Sequence, residues 1–305
     1  MANNLSSNNN TTDKESITRW LKGIPYEVAF WSSYYGNRKR RNDLFNWSLY
    51  GKCCALDNFD IDSYIAALNT DSPKILDVGC ALSYAFGNII NGKDAHVVYV
   101  DPLAPFYNEI LRHHNIDRPA ITFGMIESLS AAFAPDSTDF IHVRNALDHC
   151  ADPFEGIVQS LVVLKKGGVL YLNHFRNEAE NEGYRGFHQF NLSEESGKLI
   201  LWNKDTTINV TEALNGFADV NTTVTDAGRI VAVITKIDDI PEELYSVNET
   251  ARRQSEMLMA TAMYFHRLGN STRYQLSRFI STLGHRTMRL MPYSILNRIK
   301  RLASK

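Results

Sequence analysis

Three groups of residues in this 305-residue chain have the types and spacing to do chemistry. The first is the stretch KILDVGCALSYAFG (residues 74–87), where an apolar run delivers Asp77 and then Gly79, with Cys80 and Ala81 following. An acid at the carboxyl end of a strand lies at the rim where open α/β sheets bind ligands, and a glycine there lets backbone approach a ligand closely. A helix after the glycine would add free N–H groups at its N-terminus. Asp101 closes the next apolar run, where a carboxylate can accept from both hydroxyls of a ribose. The second group is Asn145, Asp148 and His149, and the third is His174, Asn177 and Glu178. Both follow later apolar runs, so both belong beside whatever the first group holds.

The placement of Asp77 separates candidate cofactors. A dinucleotide loop offers glycines to a pyrophosphate, which a carboxylate would repel, and here Ala81 and Ser83 replace the later glycines. A cofactor with a cationic amino-acid end can use the acid. That favours S-adenosylmethionine, with Asp77 and Gly79 at its methionine end and Asp101 at its ribose. Methyl transfer to a hydroxyl then needs a base. His174 is the first choice, because it projects from a strand end and imidazole is poised near neutral pH, with His149 and Asp148 as alternatives.

The elements that must position these residues follow from periodicity. Strands are expected at KILDVG, HVVYVD, AITFGM, TDFIHVRN and GVLYLNHF, alternating with helices at AFGNIING, FYNEILRHHN, ESLSAAFA and FEGIVQSLVVLKKGG. Such alternation means βαβ units and a parallel sheet covered on both faces. Two further strands, ADVNTTVT and RIVAVITK, flank the turn DAGR and read as an antiparallel hairpin. Five parallel strands plus that hairpin make a Rossmann-like seven-stranded sheet over residues 73–238. A disordered polar tail (1–15) and a helical cap (16–72) are expected before it, and a basic helical extension (239–305) after it.

Between the fifth strand and the hairpin, residues 176–191 are polar and long for a connection. Asn177, Glu178, Tyr184, His188, Gln189 and Asn191 mix amide, carboxylate and aromatic groups, as a sugar-binding lid would. No metal is expected, since Asp148, His149, His174 and Glu178 show no HxH or DD ligand spacing. A divalent cation would need Asp148, His149, His174 and Glu178 to converge.

Composition narrows the class. The chain is 44% hydrophobic with net charge −2, but residues 251–305 carry eleven Lys/Arg against one acid, Glu256. Within 273–305, apolar residues at helical spacing alternate with cations, which suits a membrane surface. Packing on the acidic body or a homo-oligomer contact are the alternatives, and no nucleic-acid partner is expected. The N-terminus lacks the apolar core of a signal peptide, and Cys53, Cys54, Cys80 and Cys150 show no metal-ligand spacing. A cytoplasmic location follows as an expectation, peripheral at the membrane if the tail binds it.

Taken together, ILDVGCALSYAFG, VYVDPLA and VRNALDHCADPFEGIVQSLVVLKKGGVLYLNHF resemble the class I S-adenosylmethionine-dependent methyltransferases. Within them, HFRNEAENEGYRGFHQFNL is similar to a bacterial subset often associated with surface-polysaccharide gene clusters. The resemblance implies that Pro102 and Leu103 flank the adenine. It places backbone near Met125 and Ile126, or the carboxylate of Glu127, at the adenine amino group, and Asn145 near the methionine end. It also implies a glycan or small-molecule acceptor, with O-methylation of a surface sugar as the leading expectation. A small metabolite or natural product, or a non-catalytic cofactor-binding subunit, is the alternative.

Overall fold

In a computed structural model, the described residues are 9–47, 61–68, 70–87, 89–90 and 93–245, with Glu256, Met259 and Met263 beyond them. The chain divides into two units, Met1–Ser255 and Glu256–Lys305. The basic segment 273–305 lies outside the described residues, as do residues 1–8 of the polar tail.

Five parallel strands form the centre: β1 (Lys74–Val78), β4 (His96–Asp101), β5 (Thr122–Phe123), β6 (Thr138–Arg144) and β7 (Leu164–Phe175). The hairpin β11 (Ala218–Val224) and β12 (Arg229–Lys236) adds antiparallel strands beside β7. The order β11-β12-β7-β6-β1-β4-β5 is the seven-stranded sheet expected from the alternation of apolar runs. β1 pairs with β4 on one side and β6 on the other, so the strand order reverses there. A crevice therefore opens at the carboxyl ends of β1, β4 and β6.

Period-two alternation decides which face each side chain takes. Leu76, Val78, Ile141, Val143, Leu170 and Leu172 point to one face, where Ile157 and Leu161 of α5 (Pro153–Val163) cover them. Ile75, Phe140, Val169 and Tyr171 point to the other, covered by Ile61 and Ile65 of α3 (Ile61–Ala66). Asp152 begins α5 by accepting the Glu155 N–H at 3.1 Å, with Pro153 in the first turn. α4 (Ala104–His113) carries Tyr107, Ile110 and Leu111 inward.

Several local expectations are corrected. The helix expected at AFGNIING is absent among the described residues: 82–87 are irregular and β2 (Ile89–Ile90) pairs with β3 (Lys93–Asp94). No helix N-terminus therefore follows Gly79. ESLSAAFA is a 3-10 turn, Ile126–Ala131, and Lys165–Gly168 begin β7 rather than ending a helix. The helix α1 (Asn9–Gly36) starts inside the stretch expected to be a disordered tail, and α2 (Arg38–Trp47) follows it. After β7 the chain forms α6 (Glu178–Asn181) and then an unforeseen three-stranded antiparallel sheet. Its strands are β8 (Asn191–Glu195), β9 (Lys198–Trp202) and β10 (Thr207–Asn209), and α7 (Val210–Ala213) follows. Leu192, Leu199 and Leu201 join the core on the α5 face, so this small sheet props the 176–191 loop from beneath.

Candidate functional site

A cavity of about 560 Å³ opens at the carboxyl ends of the strands. Its floor is built by the β1 loop. Gly79 sits at φ +67°, and a Cβ there would overlap that of Ala146, so only glycine lets the two loops approach. The Gly79 N–H donates to Val100 O at 2.8 Å, tying the loop to β4. Asp101 lines the cavity and anchors its own surroundings, accepting N–H groups from Leu103 at 2.7 Å and Ala81 at 3.1 Å. Burial raises its carboxyl to about 7, against the pull of those two N–H groups, with Glu27 and Asp77 adding to the rise.

Asp77 does not reach the ligand position expected of it. Its carboxylate turns behind the loop, taking the Ala85 N–H at 2.8 Å and the ring Nδ1 of His142 at 2.9 Å, and it is not among the residues lining the cavity. Asp77 therefore shapes the loop from inside. His142 on β6 closes this buried pair, and nothing in the sequence near Asp77 points to it. Cys80 is also buried outside the cavity, its thiol pushed well up by burial, whereas Ala81 lines it.

Pro102, Leu103, Met125 and Ile126, the residues expected beside an adenine, all line the cavity. Glu127 borders it, but one carboxylate oxygen already accepts from Ala151 N–H at 2.8 Å and Asp152 N–H at 3.4 Å. Asn145, in the left-handed region at φ +47°, lines the cavity. Its Oδ1 receives the Phe175 N–H at 3.2 Å and Nη2 of Arg229 at 3.0 Å. Arg229 also donates to Asn173 Oδ1 at 2.5 Å, so an arginine from β12 braces the ends of β6 and β7. Its role is invisible from the local sequence.

The far wall holds Asp148, His149 and His188. Asp148 Oδ2 lies 2.8 Å from His188 Nδ1 and 3.5 Å from His149 Nε2, and the two ring nitrogens are 3.2 Å apart. The Gln189 N–H donates to Asp148 O at 3.1 Å, clamping the 176–191 loop onto the β6 loop and bringing His188 into place. Burial alone would raise the Asp148 carboxyl, but His149, the His188 hydrogen bond and His174 hold it below its ordinary value. Burial works against charge on His188, yet Asp148, Glu178 and Glu182 carry it above its ordinary value.

His174, the first choice for the base, is corrected. It is buried at 1% exposure, lies outside the cavity lining, and neither ring nitrogen has a hydrogen-bond partner. Burial depresses it to about 3, so it is neutral and a poor proton acceptor near pH 7. Of the expected lid contacts, Glu178 and His188 line the cavity. Asn191 is fully buried, accepting the Glu180 N–H and donating to Tyr184 Oη; Gln189 donates to Tyr184 O and Gly186 O. Asn177 sits at φ +55° with its N–H on Leu192 O. None of these four lines the cavity, and the side chains of Tyr184, Gln189 and Asn191 bond within the loop.

The helical cap expected over residues 16–72 supplies a wall through α1, but its lining residues were not foreseen. Trp20, Glu27, Phe30, Trp31 and Tyr34 all line the cavity. Trp20 stacks on Phe187 with ring centroids 5.3 Å apart, and Trp31 meets Tyr107 of α4 edge-on at 6.0 Å. Glu27 accepts Trp31 Nε1–H at 2.6 Å. Trp20, Ile24, Trp31 and Tyr35 share one buried helix face, a spacing that could have flagged the contact. The lining as a whole is acidic: Glu27, Asp101, Glu127, Asp148, Glu178 and Glu182 against one arginine, Arg144.

A family model described as a methyltransferase domain matches residues 76–172, from the β1 loop to β7. Over this stretch the chain is similar to methyltransferase domains. A ubiquinone biosynthesis O-methyltransferase from Xanthomonas campestris pv. campestris is 30% identical over 124 residues, which is 39% of this chain and 50% of that protein. The chain thus spans about half the length of the curated relatives it matches. Among solved structures, a SAM-dependent methyltransferase from Methanosarcina mazei is 20% identical with TM-score 0.33, covering 57% of this chain and 96% of that one. One from Aquifex aeolicus is 11% identical with TM-score 0.35, covering 54% and 82%. The cofactor that this family implies fits the residues of the methyltransferase domain. The space that a Cβ at Gly79 would fill, the carboxylate of Asp101 and the acidic lining all suit a nucleoside with a cationic tail.

Proposed function

We propose that the protein is an S-adenosylmethionine-dependent O-methyltransferase acting on a small hydroxylated acceptor with an apolar or aromatic body. The observation that carries the cofactor reading is the acidic cavity closed by Gly79 and Asp101. Six carboxyl groups against one arginine favour a ligand carrying positive charge and oppose a pyrophosphate. Asp101 would hold the ribose, Pro102, Leu103, Met125 and Ile126 the adenine, and the backbone at Gly79 and Ala81 the methionine end. Bound there, S-adenosylmethionine supplies an electrophilic methyl group.

The acceptor hydroxyl belongs at Asp148, His149 and His188, the polar end of the wall, and that trio is where it gives up its proton. The body of the acceptor lies among Phe30, Phe175 and Phe187, and Phe30 and Phe175 are 53% and 44% exposed at the mouth. Wrapping by α1 excludes water from the transfer. The similarity to a protein called a ubiquinone biosynthesis O-methyltransferase supports a small-molecule acceptor. Two of the amide groups that suggested a sugar-binding lid, Gln189 and Asn191, are spent on the loop's own hydrogen bonds.

Methyl transfer from labelled cofactor to parallel panels of phenols and of nucleotide- or lipid-linked sugars tests this. Label on a phenolic or other apolar hydroxyl is the expected result. Label on sugars alone would overturn the acceptor class, and no transfer to either panel would overturn the activity.

A further inference from the structure

The geometry points to a divalent transition-metal site formed by Asp148 Oδ2, His149 Nε2 and His188 Nδ1. The inference rests on the reading of this trio as the place where the acceptor hydroxyl is activated, and names the means. These three atoms lie within 4.8 Å of one another, with separations of 2.8, 3.2 and 3.5 Å. Ligands about 2.1 Å from one ion stand about 3.0 Å apart in octahedral and about 3.4 Å apart in tetrahedral geometry, so the triangle has the size of one coordination face. Hydrogen bonding accounts for less of it. A proton between His188 and Asp148 satisfies that pair, yet leaves a second imidazole nitrogen 3.2 Å from the first.

The surroundings fit a catalytic rather than a closed site. Asp148 is 3% exposed and fixed through the Gln189 N–H to its carbonyl, whereas the His149 and His188 side chains are 21% and 28% exposed and line the cavity. Three ligands on one side leave positions open toward the acceptor. Glu178 lines the same wall and would add a second negative charge against a dication. Two imidazoles and one carboxylate select zinc, manganese, iron(II) or cobalt over calcium and magnesium, which prefer oxygen donors. The set differs from the one the sequence suggested, because His188 takes the place of the buried His174. Such an ion would acidify an acceptor hydroxyl, whose proton would pass to water at the cavity mouth; the oxygen would then bond the methyl carbon as the C–S bond of the sulfonium breaks, releasing S-adenosylhomocysteine.

Cobalt(II) added to chelator-treated, untagged protein is the test, read by visible d–d absorption. The expected result is a band saturating at about one ion per chain, with affinity falling by more than about tenfold in both His188→Ala and His149→Ala, since even outer-shell partners are worth that much. S-adenosylhomocysteine binding, measured on the same samples, reports folding and the cofactor site separately. Absence of the band in protein that binds S-adenosylhomocysteine overturns the metal site and leaves the proposed function standing. A band unchanged in both variants overturns it too, because the ion then sits elsewhere. Failure of S-adenosylhomocysteine to bind counts against the proposed function instead.

Discussion

Asp101 should give cofactor affinity and stability opposite responses to pH. Its carboxyl is fully buried, raised to about 7, and already accepts N–H groups from Leu103 and Ala81, leaving its remaining lone pairs to the cavity. Ribose hydroxyls are donors, so they favour the ionised form. With a midpoint near 7, about a tenth of the molecules are ionised at pH 6 and about nine tenths at pH 8. Affinity scales with the competent fraction, so S-adenosylhomocysteine should bind about tenfold more tightly at pH 8 than at pH 6. Ligand-free stability runs the other way. An acid whose folded value lies above its unfolded 3.8 contributes stability below that unfolded value, and loses it as pH rises through about 7. Asp101→Asn is neutral throughout, so its affinity should be flat over this range. At pH 8 it should be weaker by roughly 10- to 100-fold, the worth of one charged hydrogen bond. Calorimetric titration of both proteins at the two pH values measures this. A flat wild-type profile, or an equal slope in Asp101→Asn, would refute the assignment.

The other predictions concern the loop, the wall and the rejected base. Gly79→Ala forces a side chain at φ +67° against Ala146 and should destabilise the fold by about 1–3 kcal/mol while weakening S-adenosylhomocysteine binding; an unchanged melting temperature would show that the loops are not in contact. His174→Leu removes two buried nitrogens that have no hydrogen-bond partner and should keep the melting temperature and most of the turnover, the loss limited to its pull on Asp148 4.0 Å away, whereas abolished turnover would return the base to His174. Phe30→Ser, at the exposed mouth, should raise the acceptor KM with little change in kcat. A fall in kcat at unchanged KM would place the acceptor elsewhere.

What was legible in the sequence was whatever one strand and its own loop determine. The seven strands, the glycine at position 79 and the acid at 101 follow from period and φ, which act within a few residues. What was not legible depends on partners distant in the chain. Asp77 looks like a ligand-facing acid until His142, 65 residues on, draws its carboxylate inward. His174 sits where a base could project, but whether a strand-end side chain faces the cavity or the core depends on what packs over it. His188 gains its role only because the loop carrying it folds back 40 residues onto Asp148. The helix expected after Gly79 fails because residues 82–87 are held as irregular chain. Tyr35 Oη and Arg118 Nη1 both donate to Leu82 O there, and Tyr99 Oη donates to Phe86 O.

The most direct test of the central claim is side-by-side calorimetry of the intact chain with S-adenosylhomocysteine and with NAD. An acidic cavity floored by Gly79 and rimmed by Asp101 predicts binding of S-adenosylhomocysteine at about one per chain and no heat from NAD. Binding of NAD, or silence from S-adenosylhomocysteine at pH 8, would contradict it.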